Sequence, residues 1–259
     1  MTVTGSSIEP ARGARFVCCG VHIDPLSLEE SVDRLQTMAL SGDGHAVHLC
    51  NSYVLSLAAR DDDYADVLNG ADLNLPDGMP LVWLAHRMGF TVSANERPRG
   101  TDVLMRAVET GGSQIKHYLY GSTPDVVDAL AARLRSVPGV EIVGVESPPF
   151  RALTAGEEDL LVERIRSTGA NMVWVGIGTP RQDVFVVRLR DRLPATLVAV
   201  GAAFDFLAGS KKEAPRWVQN VGMEWAYRFA SEPRRLWKRY LIGNARFMAG
   251  VARQGLSLA

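Results

Sequence analysis

The sequence is poor in sulfur chemistry, in aromatics and in long apolar runs. Its three cysteines, Cys18, Cys19 and Cys50, are an odd count in 259 residues. They lack metal-ligand spacing, which argues against a disulfide framework or a zinc site and suits a reducing cytoplasm. The histidines (His22, His45, His48, His86 and His117) never form a metal-binding pair at helical spacing. No run of about 18 apolar residues could span a bilayer, and the opening MTVTGSSIEPARGARF lacks the apolar stretch of a secretory signal. Any membrane contact is therefore expected to be peripheral, at the cytoplasmic face. No repeat or low-complexity segment is visible.

What is present is the composition of a globular chain, 47% hydrophobic and 22% charged, long enough for a full core and one or two domains. Net charge is only −1, which favours no nucleic-acid partner, but it is unevenly placed. Residues 1–210 hold 18 Lys and Arg against 26 Asp and Glu, whereas residues 211–259 hold 10 against 3. An acidic body with a basic tail directs an anionic surface or a phosphorylated ligand to one end of the molecule.

Short buried-type runs at His45–Cys50, Lys116–Tyr120, Val140–Val145, Met172–Gly176 and Thr196–Gly201 read as strands. Helical patterns lie between them at Leu28–Ala39, Gly78–Met88, Asp102–Thr110, Pro124–Leu134, Glu157–Thr168 and Gln182–Leu193. Ser122 before Thr123-Pro124 reads as an N-cap. The alternation predicts an α/β fold, a Rossmann-like and mainly parallel sheet flanked by helices, with ligands beyond the carboxyl ends of its strands. From Val221 onward the pattern is helical and basic. Leu236, Trp237, Tyr240, Leu241, Phe247, Met248 and Val251 fall on one predicted face, which either packs on the body or meets a membrane surface or acceptor.

Several segments carry candidate chemistry. Asp61-Asp62-Asp63 resembles a divalent-metal motif, but its place between two helical segments predicts a turn and a helix cap. Asp77, in Leu75-Pro76-Asp77-Gly78, can either cap the following helix or accept a proton as a general base. Gly176 and Gly178, after a strong strand and ahead of a helix opening near Gln182, allow close backbone approach to a phosphate. The third glycine of the dinucleotide fingerprint is missing. Asp205 ends a similar strand, and Arg97, Arg99 and Asp102 precede or open a helix, where surface solvation is the plain reading.

Together, Asn51 after a strand, LNLPDG, RPRGTD at 97–102, YGS at 120–122, GIGTPRQD, VGAAFDFLAG, and EAPRW followed by MEWAYRFASEPRR resemble the WecG/TagA/CpsF family of bacterial glycosyltransferases. The blocks occur in order over roughly residues 20–240. The resemblance implies an inverting transfer from a UDP-sugar, of hexose or N-acetylmannosamine type, to a polyprenyl-diphosphate-linked saccharide during cell-surface polysaccharide synthesis. It implies no cofactor and no required metal, a catalytic domain over 1–210, and a basic helical appendage over 211–259 that touches the acceptor and the membrane. Asp77 then matches the general base, with Arg228, Arg235 and Lys238 offered to the diphosphate. Asn51, Arg99, Asp102, Gly121, Gly176, Gly178, Gln182 and Asp205 are the expected substrate contacts. Leu49 stands where members with teichoic-acid activity have threonine, which leans the reading toward exopolysaccharide-type hexose donors. Self-association is left open.

Two other readings compete. A nucleotide-dependent oxidoreductase would share the strand–glycine–helix turns, and a hydride-transfer assay separates it. A noncatalytic nucleotide- or membrane-binding protein would keep the fold without turnover, and a pure tail module would show no saturable UDP binding.

Overall fold

The computed structural model describes residues 13–255; the side chains of Arg235, Lys238 and Arg239 lie outside the described residues. Among the described residues there are eight strands: β1 (Phe16–Cys18), β2 (Val21–Ile23), β3 (His45–Cys50), β4 (Leu73–Pro76), β5 (Lys116–Gly121), β6 (Glu141–Glu146), β7 (Met172–Gly176) and β8 (Thr196–Ala199). β1 and β2 form a small antiparallel hairpin, and the other six form one parallel sheet in the order β4-β3-β8-β7-β5-β6.

Side chains of the central strands alternate between two cores, as the two-residue period of a strand requires. Val47, Leu119, Trp174 and Val198 point to one core, with the helices Leu28–Ser41, Gly100–Gly111 and Pro124–Leu134. Ala46, Tyr120, Val173, Val175 and Leu197 point to the other, with the helices Ala155–Thr168 and Arg181–Arg190. A third cluster joins the hairpin to the helices Ser52–Ala58, Asp62–Asn69, Met79–Arg87 and Gly243–Arg253.

Three expectations need correction. Thr123, not Ser122, occupies the N-cap ahead of Pro124; Ser122 has φ +56°, a left-handed conformation rare outside glycine, because the chain must turn sharply out of β5. Arg97 and Arg99 are buried rather than solvated, since three carboxylates and several carbonyls converge on them. The apolar stripe of the tail is not one face. Leu236, Tyr240, Phe247 and Val251 are buried, whereas Trp237, Leu241 and Met248 are exposed. A π-turn at Lys238–Ile242, between the helices Pro233–Trp237 and Gly243–Arg253, resets the helical phase.

The last helix packs on Ser52–Ala58 and on the β1–β2 hairpin turn, where a Cβ at Gly250 would stand 2.7 Å from Cys19 Sγ and the Cys19 amide donates to Gln254 Oε1 at 2.8 Å.

Candidate active site

The carboxyl ends of β3, β4, β5, β7 and β8 open into one cleft of about 540 Å³. Ligands in open parallel sheets bind in such a position because the loops and helix N-termini meet there.

Asn51 follows β3 and caps the helix Ser52–Ala58, its Oδ1 accepting from the amides of Tyr53 (3.1 Å) and Val54 (3.3 Å). This fixes the side chain so that Nδ2 faces Asp77 Oδ2 at 3.4 Å. Asp77 follows β4 and does not cap the adjacent helix Met79–Arg87, whose N-cap is Gly78 without a side-chain bond. Its Oδ1 instead accepts from the Gly100 amide at 3.2 Å, at the start of a different helix, Gly100–Gly111. A helix N-terminus favours negative charge, and each oxygen of this cleft-lining carboxylate, with one recorded donor, retains acceptor capacity. Of the two readings open for Asp77, the local cap is thus removed.

The glycines have separate reasons. Gly176 lies against Phe204, whose ring would stand 3.0 Å from an added Cβ, and Gly178 has φ +85°. Gly121 is not a cleft-lining residue; it lets β5 approach β7, since a Cβ there would sit 2.6 Å from the Gly176 backbone. Gln182 is buried in the first turn of Arg181–Arg190, and its Oε1 accepts from the Gly178 amide at 3.0 Å, fixing the loop over which it lies.

Charged groups crowd the rim. Arg99 donates to Asp102 Oδ2 (3.0 Å) and Glu213 Oε1 (2.9 Å), and Arg97 donates to Glu224 Oε2 (3.3 Å) and to the Asp77 carbonyl (3.1 Å). Burial pushes the Glu224 carboxyl up from its ordinary range, an effect that Asp77 reinforces while Arg99, Arg97 and Arg228 oppose it. Burial works against the charge on Arg99, but Glu224, Asp102 and Glu213 outweigh it and raise its pKa. Asp102 is committed to Arg99 and Arg216 and does not line the cleft. Asp205 does line it, 3.2 Å from Lys211 Nζ.

Arg228 is different. It reaches the cleft from the helix Glu224–Ser231, its guanidinium lies 5.0 Å from the Phe206 ring centre, and it forms no ion pair among the described residues. The backbone of Arg235 and Lys238 belongs to the following turns, beside Leu236, which lines the cleft, but both side chains lie outside the described residues.

Asp61 caps the helix Asp62–Asn69 by accepting from the Tyr64 amide at 3.0 Å, as the sequence reading expected of this acidic run. Among the described residues no group of three His, Cys, Asp or Glu side chains could hold a metal ion. Sequence reasoning missed Ser122 as a lining residue, along with Tyr53, Phe150, Lys211, Glu213 and Glu224. Phe150, an aromatic after Pro148-Pro149 between a strand and a helix, carried the clearest signal.

A parallel Rossmann-like sheet with a carboxylate, an asparagine and an arginine gathered around one cleft at its strand ends defines an α/β enzyme with a strand-end active site. The chain belongs to the glycosyl transferase WecG/TagA/CpsF family, whose model matches residues 16–259, and it is accordingly a glycosyltransferase. It is 29% identical over 201 residues to the N-acetylglucosaminyldiphosphoundecaprenol N-acetyl-beta-D-mannosaminyltransferase of Bacillus subtilis (strain 168), which covers 76% of this chain and 75% of that protein.

Proposed function

We propose that the protein moves a sugar from a UDP-sugar to a saccharide carried on a polyprenyl diphosphate, with inversion, in bacterial cell-surface polysaccharide synthesis. The observation that carries this reading is Asp77, a cleft carboxylate held by Asn51 and the Gly100 amide rather than spent on its own helix. The acceptor hydroxyl gives its proton to Asp77 as its oxygen bonds to the anomeric carbon. The bond from that carbon to the UDP oxygen breaks on the opposite face, and UDP leaves with the electron pair. Negative charge growing on the leaving diphosphate needs fixed positive partners. Arg228, with Arg235 and Lys238 from the following turns, supplies them in place of a metal ion, and Gly176, Gly178, Gln182 and Asp205 contact the donor.

The relative's name describes an N-acetylmannosamine transfer to a diphosphoundecaprenol-linked sugar, and the same acceptor class is proposed here. The donor in our reading is of hexose or N-acetylmannosamine type, and Leu49, which lines the cleft where teichoic-acid members of the family carry threonine, leans it toward a hexose.

No described helix is long and apolar enough to cross a membrane. Four of the five tryptophans, Trp83, Trp217, Trp225 and Trp237, are 40–71% exposed, as are the aliphatic Leu241 and Met248 of the tail. Exposed aromatics amid basic residues suit a lipid–water interface, so we assign residues 1–210 to catalysis and 211–259 to acceptor and membrane contact at the inner face of the membrane.

Asp77→Asn tests the reading, because it removes the proton acceptor at constant size. Disaccharide formation on a synthetic lipid-diphosphate acceptor, followed by mass spectrometry over a panel of UDP-sugars, is expected to fall about 10²–10⁴-fold with UDP binding kept. Retention of more than about a third of the rate, far above that range, would leave Asp77 a purely structural group. Turnover that disappears with EDTA and returns with Mg²⁺ would overturn metal independence.

A further inference from the structure

The helix Glu224–Ser231 carries Arg228 to the cleft, yet none of its residues is buried. Apolar burial is what normally seats a helix, so packing alone does not fix the direction of this one. Its backbone neighbours are chiefly the adjoining tail segments, Arg216–Asn220 before it and Pro233–Trp237 after it. The Trp225 ring, tilted against Tyr240 at 6.1 Å, also binds it to the tail. Gly222 makes the tight turn that precedes it, with φ +74° and with Trp83 only 2.8 Å from where a Cβ would stand.

Glu224, the first residue of the helix, docks it on the body. Its Oε2 accepts from Arg97 Nη2 at 3.3 Å and lies 3.8 Å from Arg99 Nε, and both arginines are buried. Arg97 in turn donates through Nε to the Asp77 carbonyl at 3.1 Å and through Nη1 to the Gln219 carbonyl at 3.2 Å. One guanidinium therefore holds the strand end that bears Asp77, the segment ahead of the helix, and the helix itself. Arg228 stands four residues after Glu224, one turn on and on the same face. Both side chains line the main cleft and an adjoining cavity of about 250 Å³.

We infer that Glu224 is a positioning residue for transfer: latched to Arg97 and Arg99, it seats its helix so that Arg228 meets the leaving diphosphate while Asp77 faces the acceptor hydroxyl. The inference rests on the roles of Arg228 and Asp77 in the preceding reading. Glu224 touches no reacting atom. Through Arg97 it fixes the span between the proton acceptor and the cation, which one transition state needs together. An exposed pair would hold that span loosely, whereas two buried guanidiniums with several fixed acceptors hold it in one geometry.

The test is a double-mutant cycle on the full chain with Glu224→Gln, Arg228→Met and the two combined. Transfer is measured over the UDP-sugar panel on the synthetic lipid-diphosphate acceptor, and a thermal melt follows each variant. Glu224→Gln keeps the length and an acceptor for Arg97 but loses the charge. It is expected to lower kcat about 10–10²-fold, the effect of a misplaced catalytic group, with a smaller change in the donor KM. Added to Arg228→Met, it should cost less than about a further twofold, because the group it positions is already gone. Glu224→Asp is the second variant, since it keeps the charge on the arginines, and so the fold, while shortening the reach by one methylene; kcat should fall there too. Losses that multiply in the double variant would overturn the latch, because Glu224 would then act independently of Arg228. Wild-type kcat in both Glu224 variants, with Arg228→Met impaired, would overturn it as well and leave the reading of Arg228 intact. Wild-type kcat in Arg228→Met would instead sink that reading, and this inference with it.

Discussion

Arginines in two regions of this molecule share a charge and differ in almost everything else. Arg97 and Arg99, in the body, are 3% and 6% exposed and surrounded by acceptors: Glu224, Glu213, Asp102 and the carbonyls of Asp77 and Gln219. Arg228, in the C-terminal helices, rests on the Phe206 ring and forms no ion pair among the described residues. A buried cation whose donors are all engaged by its own chain is an architectural part, because any ligand would have to displace partners already in place. A cation at a cleft with its donors uncommitted is available to a ligand. Both arginine groups stood as conspicuous basic positions in the sequence, and only their partners separate them.

The largest effect expected from this contrast is on stability. Arg97→Ala takes the buried guanidinium away from the half-buried Glu224, to which only Arg99, 3.8 Å away, stays close, and from the carbonyls of Asp77 and Gln219; removal of one member of a buried pair costs about 3–5 kcal/mol. Urea denaturation followed by circular dichroism should show a loss of that size, and a change under about 1 kcal/mol, the ordinary worth of an exposed pair, would place Arg97 with the surface arginines.

Next comes Arg228→Met, expected to lower transfer about 10²–10³-fold, the effect of deleting one charge-stabilising donor. Its denaturation midpoint should barely move, since the ring contact is worth about 0.5–1 kcal/mol. A stability loss matching that of Arg97→Ala, with turnover preserved, would erase the distinction between the two regions.

A smaller effect is expected at Arg239, where reversal to Glu should weaken binding to anionic liposomes at low salt by about 2 kcal/mol, at roughly 1 kcal/mol per charge. Turnover on a soluble acceptor should change less. Truncation after Glu232 should reduce both. Equal liposome binding by truncated and full-length protein would remove the membrane role of the tail.

The least expected effect concerns a third kind of arginine, exposed but paired. Arg151 bonds Glu157 through both nitrogens, and that bond, followed by the Thr154 amide, lowers the Glu157 carboxyl to about 2. A depressed carboxylate pKa gives a stabilising contribution that is fully present above the ordinary value near 4.5 and is lost as pH falls through about 2. A carboxyl NMR titration of Glu157 with its midpoint near 4.5 would show that this pairing is absent in solution.

The sheet was legible in the sequence where its strands are continuous apolar runs, as at His45–Cys50, Met172–Gly176 and the start of Thr196–Gly201. β4 was not counted as a strand because Leu73-Asn74-Leu75-Pro76 carries an amide and a proline. Burial of Asn74 is made possible by distant partners, its Nδ2 donating to the carbonyls of His22 (3.0 Å) and Leu68 (2.9 Å). β1 and β2, three residues each, are too short for a period to show. At the site, Asn51 was visible because it follows a strand, and Asp77 because Leu75-Pro76-Asp77-Gly78 stands directly ahead of a helical pattern. The commitment of Arg97 was not, since Glu224 lies 127 residues away and no local pattern records such a pairing. The tail's stripe failed for a geometric reason, a single π-turn that breaks the assumed rotation per residue.

The strand order also constrains how the polypeptide emerges during synthesis. β8, the last strand made, lies between β3 and β7, pairing His45 with Thr196 on one side and Met172 with Thr196 on the other. Before residues 196–199 leave the ribosome, β4–β3 and β7–β5–β6 share no hydrogen-bonded neighbour, and each presents an open edge. Closing the gap requires contacts between residues far apart in the chain, the type of step that slows folding and exposes intermediates to aggregation. Val200 and Gly201, which line the cleft, follow that strand directly. A nascent chain therefore has no complete active site until its final strand has threaded into the middle of the sheet.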